Sequence, residues 1–236
     1  GAAAPGMSWA IGTGMIDYHF DWSVIWRNWD RFAAALGLGL GLAIASLAIG
    51  TVIGLFCAMG RVYGPRWVSW PVWAYVEVIR NTPLLLLVFF IYFGLPELGI
   101  YGLDKIQSFI STLSIYAGAY MCEVFRAGLG TVPRQYMEAA KAIGMRPWQR
   151  QRYVILPVTF RITLPAISNN LISLFKDTSL AAAIAVPELT FTARQINANT
   201  FRVMESWLTA SALYLVTAYA IALLLRQVER RYAVIR

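Results

Sequence analysis

The chain is short of charge: of its 236 residues only 14% are Asp, Glu, Lys or Arg, against about 25% in a soluble domain. With 58% apolar residues and a mean hydropathy of +0.57, an ordinary water-soluble fold is excluded and a membrane protein is expected. There are two cysteines, Cys57 and Cys122, each inside an apolar run. Neither a disulfide framework nor a thiolate metal site is indicated, and both read as packing residues. The single histidine, His19, has no neighbouring ligands in sequence, which argues against a metal or catalytic role. The three lysines, Lys105, Lys141 and Lys176, follow Asp, Ala and Phe. A phosphate-cradling loop needs Gly-Lys followed by Ser or Thr, so the chain has no such loop. Gly-x-Ser-x-Gly, His-Glu-x-x-His and a paired intramembrane Asp constellation are also lacking, which disfavours a membrane enzyme such as an intramembrane protease.

What is present is a series of apolar runs. Gly1 to Gly6 (GAAAPG) precedes Met7 and reads as an expression remnant, with no cleavable signal peptide after it. Residues 7–31 mix Asp17, His19, Asp21, Arg27 and Asp30 with Trp22, Trp26 and Trp29, the composition of an interfacial segment anchored by indoles. From 32 to 236 a single membrane domain follows. No charge lies between Arg31 and Arg61; Arg66 to Glu97 is interrupted only by Glu77 and Arg80, with a kink expected at Pro83. Lys105 to Glu123, Arg161 through Pro187 (broken near Lys176 and Asp177) and Glu205 to Arg226 complete the set. The fold class is therefore an all-α membrane protein of about five transmembrane helices, each needing about 20 apolar residues. That leaves no room for a separate catalytic domain.

Basic residues crowd one side of this arrangement, at Arg61, Arg66, from Arg126 to Arg161 and from Arg226 to Arg236, against only Glu138 and Glu229. That side is cytoplasmic, which places the N-terminus outside and the C-terminus in the cytoplasm. The net charge of +8 is thus a topology signal, and no nucleic-acid partner is expected. The same rule makes residues 127–160 a large cytoplasmic loop. Pro133 suits a helix start, and Tyr136, Ala139, Ala140 and Ile143 fall on one helical face. Gly144 reads as a stop, Pro147 as a second start and Pro157 as a second stop, giving a pair of short helices. Arg134 and Lys141 stand one turn from Glu138 as ion-pair partners.

Glu138-Ala139-Ala140, then Gly144, then Leu156-Pro157 resembles the EAA signature of permease subunits of ABC importers. Val154 stands where that family usually has Ile. The remaining six positions match by chance with a probability of roughly 10⁻⁷ per start site. The resemblance implies that Glu138, Ala139, Ala140, Gly144, Leu156 and Pro157 couple the chain to separate ABC ATPase subunits through a cytoplasmic helical hairpin. ATP and Mg would then be held by the partner, and no cofactor by this chain. It also implies a second permease subunit, identical or homologous, an external solute-binding protein and residence in the bacterial cytoplasmic membrane.

Tyr75 to Leu84, containing Glu77, Arg80, Asn81, Thr82 and Pro83, resembles the second-span signature of the polar amino-acid branch of these permeases, where Gly is usual at the position of Asn81. Lys176-Asp177-Thr178-Ser179 resembles a polar break in its fourth span. A zwitterionic substrate needs a cation for its carboxylate and acceptors for its ammonium, placed where water reaches but lipid does not. Arg80 or Lys176 fits the first need and Glu77, Glu123 or Asp177 the second, with Asn169, Asn170, Thr178, Ser179 and Thr82 adding neutral polar groups along the pathway. The competing expectation is that these charges pair with one another, Glu77 with Arg80 at i, i+3, to fix packing. An ion-coupled secondary transporter or channel is the alternative function, disfavoured by the absence of a visible inverted repeat or pore loop.

Overall fold

The computed structural model describes residues 18–232, and among these every regular element is a helix. Residues 1–6, expected to be an expression remnant, and the start of the N-terminal segment lie outside the described residues. After a short α1 (Ser23–Arg27), α2 runs from Trp29 to Tyr63. Trp29, Asp30 and Arg31 thus open the first span instead of closing the interfacial segment, and Asp30 in the first turn complements the helix dipole. The segment is also tied to protein. The buried Glu205 carboxylate accepts from the Asp21 N–H at 2.8 Å and from the Tyr18 hydroxyl, while Arg202 donates to the His19 carbonyl at 2.7 Å. A carboxylate out of water requires such donors. Trp22, Trp26 and Trp29 remain exposed, as an indole anchor requires.

Small residues form the buried stripe of α2: Ala35, Gly39, Ala43, Ser46, Gly50, Gly54 and Ala58. They let α6 (Lys105–Gly130) approach backbone to backbone. A Cβ added at Gly50 would lie 2.5 Å from Ala117 Cβ, and one at Gly54 only 2.3 Å from Met121 Cβ. The start of α6 is set by Asp104, which accepts from the Gln107 N–H at 2.8 Å while Gln107 accepts from the Asp104 N–H.

The second span departs from its expected kink. Helix α3 (Arg66–Asn81) stops, and the chain turns through 108° before α4 (Leu84–Phe89), which continues through a π-turn (Phe90–Gly94) into α5 (Leu95–Glu97). A residue before proline is pushed out of the helical region; Thr82 sits at ψ 131°, so the helix ends where a tolerated proline would only bend it. The Thr82 hydroxyl donates to the Val78 carbonyl at 2.7 Å and the Asn81 amide to that of Glu77 at 2.8 Å, satisfying carbonyls the break releases.

The long basic loop folds as α7 (Arg134–Ala142) followed by α8 (Pro147–Arg150), a π-turn (Gln151–Ile155) and α9 (Leu156–Asp177). The last three run on without a gap, so Pro157 does not stop the second short helix. It lies in the first turn of α9 behind the wide π-turn, where a missing N–H is tolerated. The second arm of the hairpin is therefore continuous with the helix of the expected fourth span.

Beyond Asp177 the chain tightens into a 3₁₀ helix (Thr178–Ile184), then forms α10 (Leu189–Thr200) and α11 (Val203–Tyr232). Helix α10 has no counterpart among the apolar runs of the sequence. Glu188 caps it, accepting from the N–H groups of Thr190 and Phe191 at 2.8 Å and from the Tyr214 hydroxyl at 2.7 Å. Among the described residues α2 and α11 are long and apolar enough to cross a membrane, and α3 with α4–α5 passes the same test only as a pair, bent by 108°. Helices α6 and α9 have 26 and 22 residues, long enough to cross at 1.5 Å per residue. Their hydropathy is lowered by buried Ser108, Thr112 and Ser114, and by Thr159, Thr163 and Ser168. Of these, Thr112 and Thr163 donate to carbonyls of their own helix. The apolar core joins Phe109 and Leu113 to Leu42, Val88 and Phe175, and a second cluster joins Val76, Met121 and Phe125 to Ile155.

Candidate functional site

Helix α7 is built from good helix formers, Gln, Met, Glu, Ala and Lys. It ends in a Schellman motif: the Met145 N–H donates to the Ala140 carbonyl at 3.1 Å and the Gly144 N–H to that of Lys141 at 3.0 Å. Gly144 sits at φ +77° with open space where a side chain would stand. It is glycine for its backbone conformation. Pro133 lies just ahead of α7 in extended conformation.

Tyr136, Ala139, Ala140 and Ile143 share one face, as their spacing predicts, and together with Tyr153, Val154 and Pro157 they line an open groove of about 460 Å³. Ala140 is the buried member at 3% exposure, whereas Ile143 is 77% exposed. Ile143 continues the apolar lining of the groove, and a contiguous exposed apolar surface, unlike a single side chain, suits a partner. Glu138 is exposed on α7, and among the described residues neither Arg134 nor Lys141 forms an ion pair with it. Leu156 is half-buried beside the buried Ile155.

A second feature is a cleft of about 440 Å³ between α6 and α9, lined by Tyr116 and Tyr120 on one side and Asn169, Asn170, Ser173 and Asp177 on the other. Its size falls in the range of small-molecule sites. The Arg80 guanidinium lies 5.2 Å from the centre of the Tyr120 ring, at the edge of the cleft. Asn170 and Asp177 thus share the cleft, and Arg80 reaches its wall through Tyr120. Others named from sequence stand apart. The Glu77 carboxylate accepts from Asn81 at 3.2 Å and makes no ion pair with Arg80 among the described residues. Glu123 is held between Arg61 and Arg126. Thr178 is buried, donates to the Phe175 carbonyl at 2.7 Å and faces Gly39 of α2. Lys176 is exposed, Ser179 half-buried, and neither lines the cleft.

Sequence reasoning misses the two tyrosines and Ser173. Their signal is periodic: Tyr116 and Tyr120 at i, i+4, and Asn169, Ser173 and Asp177 at i, i+4, i+8. Outside the spans, hydrogen bonds from Ser23 hold the Asp21 carboxyl below the usual carboxylate range.

A helical membrane domain with an exposed apolar groove beside a helical hairpin and a polar cleft between two of its long helices fits a membrane-transport subunit. Residues 50–234 match the family model described as binding-protein-dependent transport system inner membrane component, and the chain belongs to that family. It is 35% identical to the glutamine transport system permease protein GlnP of Escherichia coli over 217 residues, covering 92% of this chain and 99% of that one. To the histidine/lysine/arginine/ornithine permease protein HisM of Escherichia coli it is 34% identical over 218 residues, covering 89% and 91%. A crystal structure of an amino acid ABC transporter with histidines superposes with a TM-score of 0.83 at 31% identity, over 91% of this chain and all of that one.

Proposed function

We propose that the chain is the membrane-spanning subunit of an ATP-driven importer of a polar amino acid, delivered by an external solute-binding protein. The observation that carries this reading is that Glu138-Ala139-Ala140 and Gly144 fold as a helix closed by a Schellman turn, with an unfilled apolar groove beside it. That groove and α7 would seat against a separate ATP-hydrolysing subunit on the cytoplasmic side, with the N-terminus outside. Asn169, Ser173 and Lys176 are exposed along α9, a polar stripe that hydrocarbon does not accommodate. It supports a second permease subunit, identical or homologous, closing over an aqueous pathway.

In the cleft, Arg80 would receive the substrate carboxylate, Asp177 its ammonium, and Asn170 a neutral polar group. Because α8 continues through the π-turn into α9, a displacement of the hairpin by the ATPase would pass directly to the helix bearing Asn170 and Asp177. Reconstitution with the ATPase and binding protein tests the reading: uptake should require hydrolysable ATP. Uptake that persists without nucleotide would instead favour an ion-coupled carrier.

A further inference from the structure

We infer that a lipid site, specific for the phosphate of an anionic phospholipid, lies where the cytoplasmic end of α2 meets the coupling hairpin. A cleft of about 540 Å³ there is lined by Met59 and Tyr63 of α2, Met137 and Lys141 of α7, and Arg150 and Gln151 beyond it. Its polar lining offers two cations and an amide, and no carboxylate. Arg150 Nε and Gln151 Nε2 are shut off from solvent without a hydrogen-bond partner. A terminal guanidinium nitrogen of Arg150 meets only the Met137 sulfur, at 3.9 Å, and thioether sulfur is a weak acceptor. Lys141 has no ion pair among the described residues. Donors left unfilled in this way are costly, and a turn of the Arg150 and Gln151 side chains toward the cleft would bring them, with Lys141, onto an oxyanion with several acceptor oxygens.

Depth selects the source of that oxyanion. The uncharged run from Phe32 to Gly60 extends about 43 Å at the helical rise of 1.5 Å per residue. That is the thickness of a bilayer including its headgroups. With Trp29 at one interface, Met59 and Tyr63 fall at the headgroup level of the other. Basic pockets at this level, between helices on the cytoplasmic side, suit anionic headgroups, and the methionines and the Tyr63 ring suit the glycerol and upper acyl chain. A lipid held here bridges the first span to α7. The site rests on the functional reading only for which leaflet it faces.

The test is direct binding in detergent, independent of transport. The purified assembly, given equal phosphatidylglycerol and phosphatidylcholine, should retain the anionic lipid in native mass spectrometry. Each basic side chain contributes about fivefold, so the preference should be roughly thirtyfold, falling towards parity in the Lys141→Gln, Arg150→Gln double variant. In the unaltered protein, a photoactivatable phosphatidylglycerol should label residues 59–63 and 137–151. Equal retention of both lipids, or labelling confined to other parts of the chain, overturns the site. Excess inorganic phosphate should leave the lipid in place; displacement by phosphate alone overturns the assignment to lipid. Loss of ATP-dependent uptake with lipid retention intact would count against the importer reading and not against this one.

Discussion

Replacing Gly54 by alanine sets two effects against each other. Alanine is the better helix former by about 1 kcal/mol, so in an open helix the change would stabilise. At Gly54 the new Cβ would stand 2.3 Å from Met121 Cβ and 2.7 Å from the Cys122 nitrogen, where carbon contacts settle at about 3.5–4.0 Å. Two of the atoms it meets are backbone, so no rotamer relieves the clash and α2 must move away from α6 by about an ångström. Overpacking of this kind costs roughly 1–3 kcal/mol. With backbone as the obstacle the upper end applies, for a net loss of about 2 kcal/mol after the propensity gain. Gly37 lies exposed on the same helix, and a Cβ added there would meet nothing within 4 Å. Gly37→Ala therefore isolates propensity and should gain up to about 1 kcal/mol. Unfolding in mixed micelles with rising SDS, followed by circular dichroism, measures the difference. Gly54→Ala as stable as the unaltered chain would refute the close-packed α2–α6 contact, as would equal effects at the two glycines.

At Gly144, φ +77° makes any β-branched residue strained by about 1–2 kcal/mol; Gly144→Val should weaken co-purification of the ATPase while leaving membrane insertion unchanged, and full retention of the ATPase would count against the coupling role. Arg80→Gln and Asp177→Asn should each lower uptake by about tenfold or more if each loses about 1.4 kcal/mol of substrate interaction. Assembly should be unaffected, and unchanged uptake kinetics in both would favour a packing role.

How much of the fold and the site is legible in the sequence depends on the range of the interactions involved. The E-A-A and Gly spacing is local, and the helix, its apolar face and its glycine stop emerge where the periodicity puts them. Pro157 misleads because proline's meaning is set by what precedes it: a π-turn ahead of it makes room for a first-turn proline, and no residue pattern announces that widening. Pro83 reads as a kink for the complementary reason, since the break depends on the extended conformation forced on Thr82. Glu77 and Arg80 satisfy the i, i+3 rule, yet each finds a different partner, Asn81 within α3 and Tyr120 on α6. A spacing rule names who can meet, and tertiary packing decides who does. The Gly50-x-x-x-Gly54 spacing goes unread for the same reason, since its partner, Ala117 to Cys122, only the fold supplies.

The same packing explains why the polar residues divide as they do. A charge between membrane helices is tolerated when it is paired or when it faces water, and the two solutions leave different traces. Glu123 carries the first, clasped by Arg61 from α2 and Arg126 one turn away; it locks α2 to α6 beside their glycine contact and has little left to offer a substrate. Asp177 carries the second: it forms no ion pair among the described residues and opens on the cleft, at the point where α9 gives way to the tighter 3₁₀ turn. Water in the cleft sustains such a carboxylate and leaves it free to take the cationic group of a substrate, as the proposed pathway requires. Arg61→Ala should therefore destabilise the fold more than it slows transport, whereas Asp177→Asn should do the reverse, and the ratio of the two effects separates a structural charge from a working one.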